Sequence, residues 1–284
     1  MNECLVTKLK ASVNDDSLSV LGGFICSVQT NTSGYFNVAS ASSEEVRVEI
    51  LDDAYAVEYV SAGGRIIDSK NAVAGPLGGD TYVGITTTAK EKKLNIKITN
   101  KYALTAISSI NGWKGSLANL SYCNKLEKFS TTYGFGVAEN TEIFPSLPSL
   151  KQLTLIDSFN GDNSFLEGNV SNILNGLNPS ICTSINFNLS KVKYGDLTKL
   201  FGRFINLTVM KFDPTFTDNR LTGTIESFVQ EQRRLGRSVC DGINIGLGNY
   251  GVTFNETMTY SSSDNKTLSW TEDTITLNGV TINA

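Results

Sequence analysis

The sequence predicts an α+β chain in three parts: an N-terminal antiparallel β-sandwich, a short α/β solenoid of repeated units, and a C-terminal β-hairpin cap. Three observations predict this. Apolar and polar residues alternate through about residues 24–100, two apolar phrases recur in order between about 112 and 246, and Asn278-Gly279 separates two short β-like runs. The expected boundaries are a segment at 1–22, the sandwich at 23–110, the repeats at 111–250 and the cap at 251–284.

The sandwich rests on period-two runs. Glu44-Glu-Val-Arg-Val-Glu-Ile50 and Leu94-Asn-Ile-Lys-Ile-Thr99 place an apolar side chain at every second position, as a half-buried strand requires. Gly63-Gly64 and Gly75-Pro-Leu-Gly-Gly79 read as turns between such runs.

The repeats rest on two phrases, with Φ an apolar residue. Gly-x-Φ-x-x-Φ occurs at Gly115, Gly168, Gly195 and Gly223. Φ-x-x-Φ-x-Φ occurs as Leu150-Lys-Gln-Leu-Thr-Leu155 and Leu207-Thr-Val-Met-Lys-Phe212, and, with cysteine counted as apolar, at Cys182 and Cys240. Leu126-Glu-Lys-Phe-Ser-Thr131 is a degraded first copy. The five copies are spaced by 24, 32, 25 and 33 residues, so the extra length falls in the connecting segments. Each strand phrase would turn its apolar residues inward to stack on the next copy, with the glycine allowing the tight turn into the return segment. Ile225 to Leu235 is the longest helix candidate, with Ile225, Phe228, Val229 and Leu235 on one face. An irregular β/α domain is the alternative arrangement.

The third part contains Thr267-Leu-Ser-Trp-Thr271, Thr274-Ile-Thr-Leu277 and, after Asn278-Gly279, Val280-Thr-Ile282. A hairpin here would cap the last repeat, which would otherwise expose core. Asn219-Arg-Leu-Thr-Gly-Thr-Ile-Glu-Ser-Phe228 resembles the N-x-L-x-G-x-I-x-x-Φ stretch of the leucine-rich-repeat superfamily, and Leu166-Glu-Gly-Asn-Val170 echoes it. That resemblance covers about half the chain and implies a leucine-rich-repeat α/β solenoid that binds partners on the open face of its strands.

Composition narrows the chemistry. The 284 residues carry a formal net charge of -4 and no basic cluster, which argues against a nucleic-acid surface. There is no histidine, which removes Ser-His-Asp and Cys-His nucleophile systems and histidine-ligated zinc. The five cysteines, at 4, 26, 123, 182 and 240, are widely spaced among apolar neighbours and read as reduced, buried hydrophobes. No aspartate-rich cation loop or phosphate loop is present, and turn acids such as Asp15, Asp16, Asp52, Asp53 and Asp162 read as turn formers. We therefore expect no enzyme, no cofactor and no metal site. Trp113 and Trp270 read as core rather than as sugar-stacking platforms.

Alternation within the strand phrases places Gln152, Thr154, Ser184, Asn186, Asn188, Lys211 and Asp213 on the open face, as a polar platform for protein or glycan. The plainer reading of each is a solvated sheet position. Near the start of the chain there is no basic region followed by an apolar stretch, so no signal peptide is expected, and no apolar run is long enough to span a membrane.

Cys4-Leu-Val-Thr-Lys-Leu-Lys10, with Val13-Asn-Asp-Asp-Ser-Leu18, is similar to the starts of virion proteins of crAss-like and related phages of gut bacteria. That resemblance implies a phage structural protein, made in the host cytoplasm and released by lysis. It would be a head or tail fibre, a decoration protein or an attachment component. Cys4, Leu5, Val6 and Leu9 would dock it to other virion proteins, alongside copies of itself. A host surface protein or glycan would be the outward partner, with no nucleic acid and no membrane insertion. The alternative is a cytoplasmic bacterial leucine-rich-repeat interaction or adhesion protein.

Overall fold

The computed structural model describes residues 23–30, 36–41, 44–51, 57–62, 65–67, 70–74, 81–87, 92–110, 113–114, 117–132, 135–136, 144–156, 168–188, 192–212, 221–246, 252–255, 258–260 and 265–283. The chain divides into two compact units, Met1–Leu126 and Glu127–Ala284. The turn glycines at 63–64 and 75–79 lie outside the described residues.

The first unit holds strands β1 (Phe24–Thr30), β2 (Phe36–Ser40), β3 (Val46–Ile50), β4 (Val57–Ala62), β5 (Arg65–Ile66), β6 (Asn71–Ala74), β7 (Thr81–Thr87), β8 (Lys92–Thr99), β9 (Leu104–Ile110) and β10 (Trp113–Lys114). They form two antiparallel sheets, ordered β10-β1-β8-β3-β6-β5 and β4-β7-β2-β9, with β1 and β6 of one meeting β2 and β7 of the other. Period-two alternation explains the core. Val46, Val48 and Ile50 are buried from β3, and Val48 and Ile50 stand opposite the equally buried Ile98 and Ile96 of β8. From the other sheet, Val38 and Ile107 form a buried cross-strand pair. On the opposite face of β3, Glu49 faces Lys97 and pairs with it at 3.1 Å. Both are partly exposed, so this pair contributes at most ~1 kcal/mol.

The second unit is built on a parallel ladder. Strands β11 (Lys128–Thr132), β12 (Gln152–Ile156), β13 (Ser184–Asn188), β14 (Val209–Phe212) and β15 (Cys240–Gly246) lie side by side in that order. The pairing is in register, so Phe129, Leu153, Ile185, Met210 and Ile245 align in one fully buried row. The next row holds Thr131, Leu155, Phe187 and Phe212. Phe212 is the centre of an aromatic cluster, with ring centroids 4.3 Å from Phe201, 6.0 Å from Tyr194 and 6.2 Å from Phe187.

The return segments carry short helices, α1 (Ser171–Leu174), α2 (Leu197–Phe201) and α3 (Ile225–Arg234). Asp196 caps α2 by accepting from the Lys199 N–H at 3.0 Å, and Thr224 caps α3 by accepting from the Ser227 N–H at 2.9 Å. Gly195 and Gly223 precede these caps with φ of +90° and +100°, where a side chain would be strained. The long helix candidate forms as α3 and buries Ile225, Phe228, Val229 and Gln232. None of the helices is long and apolar enough to cross a membrane, among the described residues.

Beyond β15 the sheet continues. Strands β16 (Lys266–Trp270), β17 (Thr274–Leu277) and β18 (Val280–Asn283) add to it in antiparallel order. Asn278 and Gly279 connect the last two with φ of 52° and 77°, the left-handed pair that a two-residue hairpin turn needs.

The chain is therefore mostly β, and the expected α+β class with an α/β solenoid is overturned. The repeated phrases do become parallel strands, but among the described residues the returns hold helices of only 4, 5 and 10 residues. The Gly-, Asn- and Ser-rich connections offer little to propagate a longer helix. Nor is the C-terminal hairpin a separate cap, since β16 bonds directly to β15 and turns the parallel ladder into one mixed sheet.

Two substitutions test this core. Phe212→Ala removes the hub of the aromatic cluster and should cost about 3–5 kcal/mol in denaturant unfolding. The Thr131 hydroxyl is buried in an otherwise apolar row, with no hydrogen-bond partner among the described residues. Thr131→Val should therefore raise stability by about 1 kcal/mol in the same measurement, because it removes an unpaired polar group without removing volume.

Candidate functional site

The register that buries one row exposes the next. On the face of the ladder opposite the core, Lys128, Gln152, Ser184, Val209 and Asn244 align across five strands. Two residues along, Ser130, Thr154, Asn186, Lys211 and Gly246 align in the same way. A third row begins with Ile156 opposite Asn188.

Six of the seven residues expected on the open face are thus brought together. Gln152 is exposed, and Thr154, Ser184, Asn186, Asn188 and Lys211 are half-buried. Asp213 lies outside the described residues, as do Cys4, Leu5, Val6 and Leu9, so the expected docking segment has no structural description.

The sequence reading missed the rest of the face. Lys128 and Ser130 sit in the degraded first copy, where the alternation of Lys128-Phe-Ser-Thr131 was the available signal. Asn244 pairs with Thr267, and Ser269 pairs with Thr276, which pairs with Thr281. These residues extend the polar face onto the antiparallel strands. The sequence places them in a C-terminal cap, and only the continuity of the sheet brings them beside the ladder.

The face is chemically uniform. It carries hydroxyls and amides, two aliphatic side chains (Val209 and Ile156) and two ammonium groups (Lys128 and Lys211). Strands β11 to β14 bring no carboxylate and no aromatic ring to it, while β15 carries the exposed Asp241. The stem of Lys211 lies over the bare backbone of Gly246, whose missing Cβ would come within 3.5 Å of Lys211 Cγ.

A second concavity opens beside α2 and α3, lined by Thr198, Thr224, Glu226, Ser227, Gln230, Glu231 and Arg234. Its two carboxylates suggest acid–base chemistry, but Glu231 receives both Nε and Nη2 of Arg234 at 2.7 Å. That hydrogen-bonded pairing holds the Glu231 carboxyl below its ordinary range, the reverse of what a proton donor at neutral pH requires. No group of three or more potential metal ligands occurs among the described residues. The turn acids at 15–16, 52–53 and 162 lie outside them.

The thiols are enclosed. Cys123, Cys182 and Cys240 are free and buried. Burial pushes Cys123 and Cys182 up to about 12 and also raises Cys240, where the neighbouring Arg237 works in the opposite direction. Trp270 is likewise enclosed, its indole N–H donating to the Arg237 carbonyl at 2.8 Å, while the Trp113 side chain lies outside the described set.

Compared with family models, curated proteins and solved structures, the chain finds no match in any of the three.

The buried thiols yield a direct check. Raised pKa values leave almost no thiolate at pH 8, and the thiolate is the reactive form. Peptides containing Cys123 and Cys182 should stay unlabelled by iodoacetamide in the native protein at pH 8 and become labelled once guanidinium unfolds it. Rapid native labelling, read by mass spectrometry, would contradict the burial described here.

Proposed function

We propose that this chain is a non-enzymatic structural protein of a phage virion, a head or tail fibre, decoration or attachment component. Residues 1–22 dock it to the particle, and the polar face of β11 to β18 is presented outward to protein or glycan. The observation that carries this reading is the face itself: a broad in-register array of hydroxyl and amide side chains backed by a continuous apolar core. Such an array suits display and distributed contact, because its polar side chains are all exposed or half-buried and none is enclosed in a pocket of its own.

The similarity of Cys4 to Leu18 to phage virion proteins supports the docking role of the first segment. Its partners are then other virion proteins and copies of this chain, and the protein is made in the host cytoplasm and leaves by lysis. The absence of histidine and the ion-paired Glu231 both weigh on the side of a binding role.

Deleting residues 1–22 tests the proposal. Electron microscopy of particles assembled with the truncated protein should show the corresponding density lost, while the purified truncated protein keeps its unfolding transition. Normal incorporation of the truncated protein would refute the docking role.

A further inference from the structure

The outward face has a charge pattern that specifies a ligand class. Within β11 to β14 its charged groups are Lys128 on β11 and Lys211 on β14, both cationic; the exposed Asp241 follows on β15, and the exposed Glu127–Lys151 ion pair immediately precedes β11 and β12. The register puts them three strands apart across the sheet and two residues apart along it. With strands spaced by ~4.8 Å and residues by ~3.3 Å, the separation is about 14 Å across and about 7 Å along. Gln152, Thr154, Ser184 and Asn186 fill the two intervening strands, so neutral hydrogen-bonding groups bridge one ammonium to the other.

We infer that this face binds a linear acidic polysaccharide, one carrying carboxylates on only a fraction of its sugars and crossing the strands obliquely from Lys128 to Lys211. Three features select this occupant. A pyranose in an extended chain advances by roughly the distance that separates neighbouring strands, so successive sugars meet successive strands. The amides and hydroxyls between the lysines match the diols of uncharged sugars, while the two lysines match carboxylates separated by neutral sugars, as in an alternating acidic polymer. Third, the described face has no aromatic or arginine anchor, the residues that concentrate energy in protein–protein contacts, and no ring on which a neutral sugar would stack.

This inference rests on the proposed outward role of the face and specifies its ligand. It is tested with the full-length protein by affinity electrophoresis through gels containing hyaluronan, a linear polymer of alternating glucuronate and neutral sugar. Parallel gels contain its methyl ester, which keeps the backbone and loses the charge, or polyglutamate. Hyaluronan should retard the protein, the ester should not, and retardation should weaken as salt is raised. Lys128→Gln and Lys211→Gln should each weaken it about tenfold, the loss expected when a charged hydrogen bond goes. Lys97→Gln, on the first unit and paired with Glu49, should leave retardation unchanged.

No retardation by hyaluronan overturns the inference, as does equal binding by the Lys128 and Lys211 variants. Retardation by polyglutamate as strong as by hyaluronan also overturns it, in favour of an acidic protein segment. The two readings fail separately. If particle incorporation depends on residues 1–22 but hyaluronan is ignored, the virion role survives and the glycan does not. If hyaluronan is bound while incorporation is indifferent to residues 1–22, the reverse holds.

Discussion

In-register parallel pairing is the constraint on which residues 127–284 depend. Side chains alternate along a strand, so a slip of one residue would send every buried side chain to the solvent face. The alignment of Phe129, Leu153, Ile185, Met210 and Ile245 therefore fixes, in one step, which residues form the core and which form the polar face. Core and candidate site are two sides of the same register. A change that shifts one must shift the other.

That register has to be held at the returns as well as along the strands, because short helices and turns leave carbonyls without partners. Side chains reaching back to the preceding return supply them. Asn206 donates to the Ser180 carbonyl at 2.6 Å, and Arg203 donates to the Leu174 carbonyl at 2.5 Å. The fully buried Gln232 of α3 donates to the carbonyls of Gly202 and Phe204 at 2.6 and 3.1 Å, and its own oxygen accepts from Arg237. Arg237 in turn donates to the Leu207 carbonyl at 2.9 Å and lies over the Trp270 ring at 5.2 Å. Through Arg237 the last parallel segment is joined to β16. Arg233 extends the same linkage by donating to the carbonyls of Thr271 and Thr274. The hairpin is thus tied both to the sheet edge and to the helix behind it, which is why it continues the sheet instead of closing it.

The same physics explains what could be read in the sequence. The strand phrases were visible because period-two burial writes itself directly into residue order, and Leu150 to Leu155 shows it with little noise. The glycines before α2 and α3 were visible because a positive φ strongly selects for glycine. Fold class was misread because pairing partners are not local. Nothing in Thr267 to Trp270 states that it will lie antiparallel to Cys240–Gly246 rather than fold over the end of the repeats. The weight of helix was also overestimated, since Gly-x-Φ-x-x-Φ is satisfied by a single turn as readily as by a long helix. For the site, alternation within each phrase found six of the residues on the polar face. It passed over Lys128, whose phrase ends in Thr131, a residue whose buried hydroxyl has no partner among the described residues.

Lys128 shows why such an omission matters for function. With Lys211 alone the face would be a neutral polar sheet carrying one cation, indistinguishable from ordinary solvated surface. The first strand supplies the second cation, and the register sets its distance from the first. The degraded copy is thus least regular on the side that faces the core and contributes a defining charge on the side that faces out. Its core position tolerates threonine at a modest cost in stability, whereas its outer position determines whether the face has one point of charge or a measured pair. The distance between the two lysines is set by the spacing and register of the strands, so it is inherited from the same pairing that builds the core.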